Sequence, residues 1–545
     1  MDVRRPRWRE LGLFLVVVAV PLVFTPFSAA PFMDAKLLLL ATGALLVRLS
    51  GGPVDRRLAQ FAFAWVIVYA VATLASVDPL SALTPTVSGG EGGLVVTLAA
   101  AALIVDGAGL PADLLRRVGR WIAWTGVAVA AVIVLDRLAP DVLAAASPRI
   151  NFIGATMGSQ LFAATFLAVA IAVVATDVEA PRARGVAQLG LMAFALAVTG
   201  ERSSLVLPAI AVAVAVWRSR LGLRRAVTVA VVFIGCFGIW QVLDAHLPGE
   251  RPQGTAVAQL GKTATDAARF AVWRGVAHAW SERPALGWGP NTSRAAYVWG
   301  ATPEDLAIAT RPWNDGHNLF LESGVGTGVL GLLPLLALVG TAVVRSLRSS
   351  PERAWAVGGA ATIAAYAMVE PVTVVLTPLL FLFAGIAAGP ARARLTRRGG
   401  EVTLRRMGAA LSTIGLAAGV VIAALQLGGA VLQQRGLDYV DAGALRAAVR
   451  IQPWRLSAQE FLAIELALDA RAGDQAAAEE ARSLVADAVA ARPWDPDVRS
   501  YAARVSTLLE RPEDAARYLR DQLERFPSDV AFVADHQNAP VEADP

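Results

Sequence analysis

Apolar runs recur along most of this chain, and they constrain its fold more than any other feature. About thirteen segments are rich in Ala, Val, Leu and Ile. A run of about 20 apolar residues crosses the hydrocarbon core of a bilayer as a helix. The sequence therefore predicts an all-α, polytopic membrane bundle of about 12–13 spans. The candidate spans are 11–27, 33–49, 58–75, 93–107, 119–138, 160–176, 183–199, 204–217, 225–243, 317–344, 354–370, 373–390 and 407–432.

Composition supports this interpretation and excludes two others. Hydrophobic residues make up 56% of the chain and charged residues only 17%, whereas soluble proteins carry about 25% charged residues. An ordinary cytosolic enzyme is therefore excluded, and the apolar content excludes a disordered chain. Cys236 is the only cysteine, so the chain cannot form an intrachain disulfide or a cysteine metal cluster.

Basic residues alternate between successive connections, which predicts the orientation of the bundle. One set of connections holds 25 Lys and Arg residues, whereas the alternate short connections hold only Lys36, Arg149 and Arg202. Cytoplasmic loops collect basic residues, so we expect the N-terminus in the cytoplasm. The high Ala and Arg content indicates a GC-rich bacterial genome, so the membrane is expected to be the bacterial inner membrane. Residues 1–433 then form the membrane domain. Its long loop, 244–316, and a C-terminal domain, 434–545, lie outside the cytoplasm.

The C-terminal domain shows an internal repeat. The stretch 451–463 matches 491–503, forty residues further on, and a third turn-like element begins at Phe526. Turns at Pro453, Pro493 and Pro527 are spaced as in tetratricopeptide-type helical hairpins, although generic helical hairpins fit the spacing nearly as well. Such arrays bind a protein partner or brace a neighbouring domain.

Few ionisable residues lie at the predicted outer face, where they are costly unless they are used. Arginine binds phosphate through its planar fork, and histidine acts as a general base near neutral pH. Together they suit transfer from a lipid-linked phosphate donor. Headgroup anchoring by the arginines and helix capping by the histidine remain alternatives. The residues concerned are Lys36, Asp78, Arg202, Arg269, His317 and Glu370.

Two stretches carry an ordered set of motifs. The first, 269–293, holds Arg269, Trp273 and a Pro-x-x-Gly-x-Gly turn at 284–289. The second, 315–333, holds a His-Asn run followed by Leu, Glu and glycines, at His317, Asn318, Leu321, Glu322, Gly324 and Gly328. With the turn at 199–202 and the span entry at 31–36, this set resembles the O-antigen ligase and polymerase superfamily over about residues 10–390.

The resemblance implies a chemistry and a site. Members are metal-independent membrane glycosyltransferases that use no cofactor. Their donor is a glycan on undecaprenyl diphosphate, and the acceptor is a glycan, lipid or protein hydroxyl; no nucleic acid takes part. By analogy, His317 is the catalytic base, and Arg202 and Arg269 bind the diphosphate. Supporting roles would fall to Lys36, Trp273, Asn318 and Glu322.

The chain departs from the family pattern at two places. It has Gly158-Ser159 where the family often has Gly-Asn, so no role is carried over to that position. It also has Glu201 beside Arg202, where the family often has a small residue. A carboxylate there would compete with phosphate for the arginine.

Two functions from other classes compete with glycan transfer. A transporter or flippase for a lipid-linked substrate would also place arginines at headgroup level. It would need polar groups or broken helices at mid-membrane and symmetry between halves, and the sequence shows no clear sign of either. A non-catalytic assembly scaffold would not need the residue pair Arg269 and His317. The clustering of polar residues on one face favours transfer.

Overall fold

The computed structural model describes residues 4–85, 92–146, 154–177, 182–219, 223–244, 246, 264–309, 313–370, 373–390, 400–493 and 495–525. Within these ranges every long element is a helix, so the predicted all-α class is confirmed. Each of the thirteen apolar segments contains a helix, and most ends agree with the prediction within a few residues.

The described helices before residue 264 follow the predicted spans, with a short helix, α7, and a 3-10 turn, Ala155–Met157, added after α6. Helix α1 continues through a π-helical turn, Leu15–Ala19, into α2. The bounds are α1 Arg4–Phe14, α2 Val20–Leu22, α3 Asp34–Leu49, α4 Arg56–Leu74, α5 Leu94–Ala108, α6 Ala112–Leu138, α7 Pro140–Ala146, α8 Gln160–Thr176, α9 Arg182–Thr199, α10 Ser203–Ser219 and α11 Leu223–Asp244.

The described part of the long loop contains three helices, and four more spans and turns lead to the C-terminal helices. The predicted amphipathic loop helix at 264–282 is present as α12. The bounds are α12 Ala264–Glu282, α13 Ser293–Gly300, α14 Pro303–Ile308, α15 Leu319–Ser346, α16 Ala354–Ala367, α17 Leu376–Ala388, α18 Gly400–Tyr439, α19 Ala442–Ile451, α20 Leu456–Arg471, α21 Gln475–Ala491, α22 Pro496–Leu508 and α23 Pro512–Arg525.

Burial separates an inner helix from lipid-facing ones. Helix α8 is apolar on all sides, and its residues 163–175 are buried because α6, α9, α10 and α16 surround it. Helices α11 and α18 instead expose apolar side chains, such as Ile234 at 73% and Ile414 at 65%. Among the described residues, five helices contain stretches long and apolar enough to cross a membrane: α4, α6, α11, α15 and α18. The chain is a multi-pass membrane protein whose outer helices present apolar faces to lipid.

Helix α15 is broken at Gly328, and the break receives the 284–288 turn. Gly328 has φ 64° and ψ −171°, a conformation that favours glycine because it has no Cβ. The amides of Val329 and Leu330 donate to the carbonyls of Pro284 and Ala285, at 2.8 and 3.2 Å. A Cβ on Gly328 would lie 2.0 Å from the Ala285 oxygen. These contacts explain why the motif needs glycine here.

The turns at one end of the bundle join into a single surface, which we call the loop face (75–85, 199–203, 264–309 and 313–318). Trp288 bridges two of them, because its amide donates to Val325 at 2.7 Å and its carbonyl accepts from Val77 at 3.0 Å. At Gly289, φ is 112° and an added Cβ would overlap Ser76. The loop containing α12–α14 is therefore fixed to the bundle.

The C-terminal helices (α19–α23) pack as successive antiparallel neighbours on the loop face. The two matching stretches in the sequence occupy equivalent places: 452–455 precedes α20, and 492–495 precedes α22. Helices α20 and α21 form one hairpin, and α22 and α23 form the next. The third predicted element, at Phe526, lies outside the described residues.

Candidate functional site

Arg202 lies in the tight turn between α9 and α10. Gly200 ends α9 with φ 68°, which is the left-handed residue that closes many helices. The Ser204 hydroxyl donates to the Glu201 carbonyl at 2.6 Å and the Leu205 amide donates to that of Arg202 at 3.2 Å. The start of α10 thus fixes the backbone of Arg202 at the loop face.

Arg269, on α12, pairs with Glu370 at the end of α16. The distance from Nη2 to Oε1 is 2.7 Å, and the two side chains are 11% and 18% exposed. These residues are 101 positions apart in sequence. The pair therefore ties the long loop to the bundle and places a carboxylate on an arginine that the sequence assigned to phosphate.

The charges of three predicted residues act on the carboxylate of Glu370. Burial raises the pKa of Glu370 above its ordinary value, while the charges of Arg269, His317 and Arg202 lower it in part. The pKa of Glu201 is also raised: burial and the charge of Glu370 raise it, and the charge of Arg202 lowers it in part. We call Arg202, Arg269, His317 and Glu370 the site cluster.

His317 sits in a constrained loop just before α15. Its φ is 47°, an uncommon conformation for a residue other than glycine. Asp315 holds it there: Oδ1 accepts from the His317 amide at 2.8 Å and lies 2.5 Å from Nδ1. The Trp313 ring lies against the imidazole, with 4.2 Å between centroids. With Nδ1 bound to Asp315, Nε2 is the nitrogen left to take a proton from a substrate.

The pKa of His317 reflects two opposing causes. Burial lowers it, but the hydrogen bond and charge of Asp315 and the charge of Glu370 outweigh burial, so the pKa lies above its ordinary value. A carboxylate on Nδ1 fixes the tautomer and stabilises the imidazolium, as in other Asp–His pairs. The arrangement can accept a proton at Nε2 and hold it.

Asn318 and Glu322 hold the histidine loop in place. Asn318 caps α15, because Oδ1 accepts from the amides of Phe320 and Leu321 at 3.0 Å each. Its Nδ2 donates to the Met368 carbonyl at 2.9 Å, two residues before Glu370. Glu322 Oε2 accepts from the Gly316 amide at 2.8 Å. Both residues thus act on the position of His317.

Trp273 and Lys36 are the predicted residues for which the structure gives contacts away from the site cluster. Trp273 lies one turn beyond Arg269 on α12 and packs edge-on against Phe270, with 5.4 Å between centroids. Lys36 is fully buried in α3, and its ammonium donates to the carbonyls of Val20 and Pro21 at 2.8 and 3.2 Å. That contact caps the end of α2.

Two members of the arrangement, Asp315 and Glu370, were given no role from the sequence. Glu370 stands out only as an ionisable residue at the end of a span, and nothing in the sequence connects it with Arg269. Asp315 precedes His317 by two residues. An acid this close to a candidate base was the signal in the sequence that could have identified Asp315. Their distances to Arg269 and to His317 identify them as members of the arrangement.

The fold and the cluster define a multi-pass helical membrane protein with a polar site at one end. The family model described as O-antigen ligase matches residues 187–336, so this part of the chain is similar to the O-antigen ligase family. The match runs from α9 into α15 and includes Arg202, Arg269 and His317. No curated protein matches the chain. The match supports a membrane glycosyltransferase of ligase or polymerase type in general.

Proposed function

We propose that this protein transfers a glycan from undecaprenyl diphosphate to an acceptor hydroxyl at the loop face. The observation that carries the proposal is the convergence of Arg202, Arg269 and His317 around Glu370. Phosphate-binding groups and a base are thereby gathered from three separate parts of the chain. Transfer of a glycosyl group from a diphosphate needs these two functions side by side.

Arg269 and Arg202 act on the donor. The diphosphate takes the place of the Glu370 carboxylate on Arg269, and Arg202 contacts its other phosphate. As the bond between the anomeric carbon and the phosphate oxygen breaks, negative charge grows on the diphosphate. Guanidinium groups already placed around that charge stabilise it without reorganisation.

His317 acts on the acceptor. Nε2 removes the proton from the acceptor hydroxyl while its oxygen forms a bond to the anomeric carbon, and the diphosphate departs with the electron pair. A single displacement of this kind inverts the anomeric carbon. Asp315 stabilises the imidazolium that forms, and the proton then leaves to water. The base, His317, and the carboxylate that supports it, Asp315, both belong to the chain.

The loop face lies outside the cytoplasm in this proposal, and the N-terminus lies inside a bacterial inner membrane. The alternation of basic residues supports this orientation. Reporter fusions test it: a fusion after Asp474 should be active only with an extracytoplasmic reporter, and one after Ser349 only with a cytoplasmic reporter. The reverse pattern would place the site on the wrong side for the donor.

The activity itself is tested with purified protein in lipid vesicles. The vesicles contain undecaprenyl-diphosphate-linked glycan extracted from the host, with candidate lipid, glycan or peptide acceptors, and products are identified by mass spectrometry. We expect a glycosylated acceptor and free undecaprenyl diphosphate in equal amounts. Movement of intact donor between leaflets without a product would instead show a flippase, and neither outcome in a folded protein would favour a scaffold.

A further inference from the structure

In the part of the chain that the structure describes, three arginine–carboxylate pairs fix the C-terminal helices to the other helices and turns. Arg455 reaches Asp34 at 3.5 Å, with the two side chains 9% and 0% exposed. Arg492 reaches Asp78 at 3.0 Å in the 75–85 turn. Asp497 pairs with Arg294 on α13. Charged groups buried in fixed pairs define one geometry rather than many, so these contacts specify the pose of α19–α23.

The third pair differs from the other two because it continues towards the histidine loop. Arg294 donates from Nη2 to Asp497 and from Nη1 to Asn314 Oδ1, the latter at 3.0 Å. Asn314 directly precedes Asp315, the residue that binds both the amide and the ring of His317. One planar guanidinium therefore joins α22 to the loop that holds the candidate base.

The N-terminal end of α22 is held in place by a helix cap. Asp495 caps the helix, and its Oδ1 accepts from the Asp497 amide at 3.0 Å. Burial and the charge of Asp497 raise the pKa of Asp495 to about 6, although Arg294 and Arg492 lower it in part. The charges of two acids and two arginines thus act on one another at the boundary between α22 and the loop face.

We propose that the C-terminal helices position His317 through the chain Asp497–Arg294–Asn314. The inference rests on the proposed function and gives these helices a part in it. His317 holds a left-handed backbone conformation that needs restraint from outside its own loop. Asp497 and Arg294 are positioning residues: they touch neither donor nor acceptor, and they hold the loop in which Nε2 is aimed.

The test uses Asp497→Asn in the full-length protein, which keeps the size of the side chain and removes its charge. Misplacing a catalytic group by about 1 Å costs up to ~10²-fold in rate; we expect kcat to fall about ten-fold, with little change in donor KM. Asp497→Glu should recover most of the rate. The matched control is Glu480→Gln, which breaks the Arg446–Glu480 pair within the same helices and should leave kcat unchanged.

A second readout does not depend on activity. Diethyl pyrocarbonate modifies neutral imidazole, so the reaction is run at high pH, where the histidines are neutral. Mass spectrometry then compares the modification rate of His317 with that of His246, which serves as an internal reference. We expect Asp497→Asn to speed modification of His317 several-fold and to leave His246 unchanged. If wild-type protein transfers no glycan, the proposed function fails, but this measurement still decides whether α22 positions the loop.

Asn314→Ala provides a variant that leaves the docking pairs intact. It removes the acceptor of Arg294 at the loop end, so it should reproduce the faster modification of His317 even where Asp497→Asn fails to fold. Unchanged His317 reactivity in both folded variants would overturn the proposal. A ten-fold loss of kcat in Glu480→Gln would do so as well, because the effect would then be general destabilisation.

Discussion

The two ends of the helical bundle both hold buried arginines, but the arginines are used differently. At the end opposite the loop face, Arg353 donates to the carbonyls of Ile386 and Leu110 at 2.6 and 3.2 Å. Arg345 there binds Asp55 at 2.5 Å and the Gly389 carbonyl at 2.7 Å. At the loop face, Arg269 instead pairs with the Glu370 side chain, and the charges of Arg202 and His317 also act on that carboxylate.

The comparison separates a structural arginine from a candidate binding one. Carbonyls at helix ends are fixed acceptors that nothing replaces, and the Asp55 carboxylate that binds Arg345 is itself held as the N-cap of α4. Arg353 and Arg345 therefore tie helices together. A carboxylate side chain at the end of a span can move, and a diphosphate can take its place. The partner of an arginine is therefore more informative than its burial.

The largest expected effect is at His317. His317→Ala removes the base, and because general-base catalysis contributes about 10²–10⁴-fold in rate, we expect a loss in that range with normal expression and insertion. The measurement is the initial rate of glycan transfer in vesicles. His246→Ala is the control and should keep its rate; near-normal activity of folded His317→Ala would remove the residue from the mechanism.

The next largest effect compares arginines from the two ends. Arg202→Lys and Arg269→Lys keep the charge but lose the planar fork, so each should lose about 10²–10³-fold in kcat, as when one charge-stabilising donor is removed. Single-turnover rates with saturating donor measure the loss. A fully active Arg202→Lys would mean that Arg202 only anchors to headgroups.

Arg353→Lys is the matched variant at the opposite end. An ammonium cannot reach both Ile386 and Leu110 as the guanidinium does, so stability should fall by about 1–3 kcal/mol, the cost of an unsatisfied buried acceptor. Its kcat should stay close to wild type. Thermal unfolding in detergent and the transfer rate together check this contrast, which fails if Arg353→Lys loses rate but not stability.

A smaller effect is expected at Glu370. Glu370→Gln removes a negative charge beside the diphosphate, and like charges near a surface repel by about 1 kcal/mol or more, so undecaprenyl diphosphate should bind about five-fold more tightly at pH 8. The gain should shrink as pH falls, because the raised pKa of Glu370 lets the wild-type carboxylate protonate early. Glu352→Gln at the opposite end should bind as wild type does; unchanged or weaker binding by Glu370→Gln would contradict the proposed exchange.

The smallest effect is a shift in pH dependence. Asp315→Asn removes the interactions that raise the pKa of His317, so its pKa should fall and the acid limb of the kcat/KM profile should move to lower pH. Neutral imidazole is then available at more acidic pH, although the maximal rate drops as the loop loosens. An acid limb that does not move would assign the titration to another group; Glu304→Gln is the distant-acid control.

Much of the fold could be predicted because apolar length and helical spacing are local properties. The loop helix at 264–282 and the start of α8 at residue 160 agree with the sequence prediction. Helix α18 extends to Tyr439, seven residues beyond the apolar run that ends at residue 432, because Gln, Arg and Leu continue a helix without being apolar. Hydropathy locates spans, but it does not mark where a helix ends.

The candidate site was harder to predict because its geometry depends on contacts between distant segments. The motif glycines were recognisable in the sequence, but the docking of the 284–288 turn into the break at Gly328 required the folded chain. The same holds for Arg269 and Glu370. Whether Arg202, Arg269 and His317 carry the proposed roles stays a prediction for the experiments above.

The break in α15 also determines which part of that helix the bilayer acts on. The helix has 28 residues, which at ~1.5 Å per residue would span ~42 Å if it were straight, well beyond a hydrocarbon core of ~30 Å. From Val329 to Ser346 the length is ~27 Å, close to that thickness. Lipid acyl-chain length should therefore shift and tilt this second half, while the first half stays with the 284–288 turn. The position of the histidine loop is then insulated from hydrophobic mismatch, and its height is set by the protein rather than by the membrane.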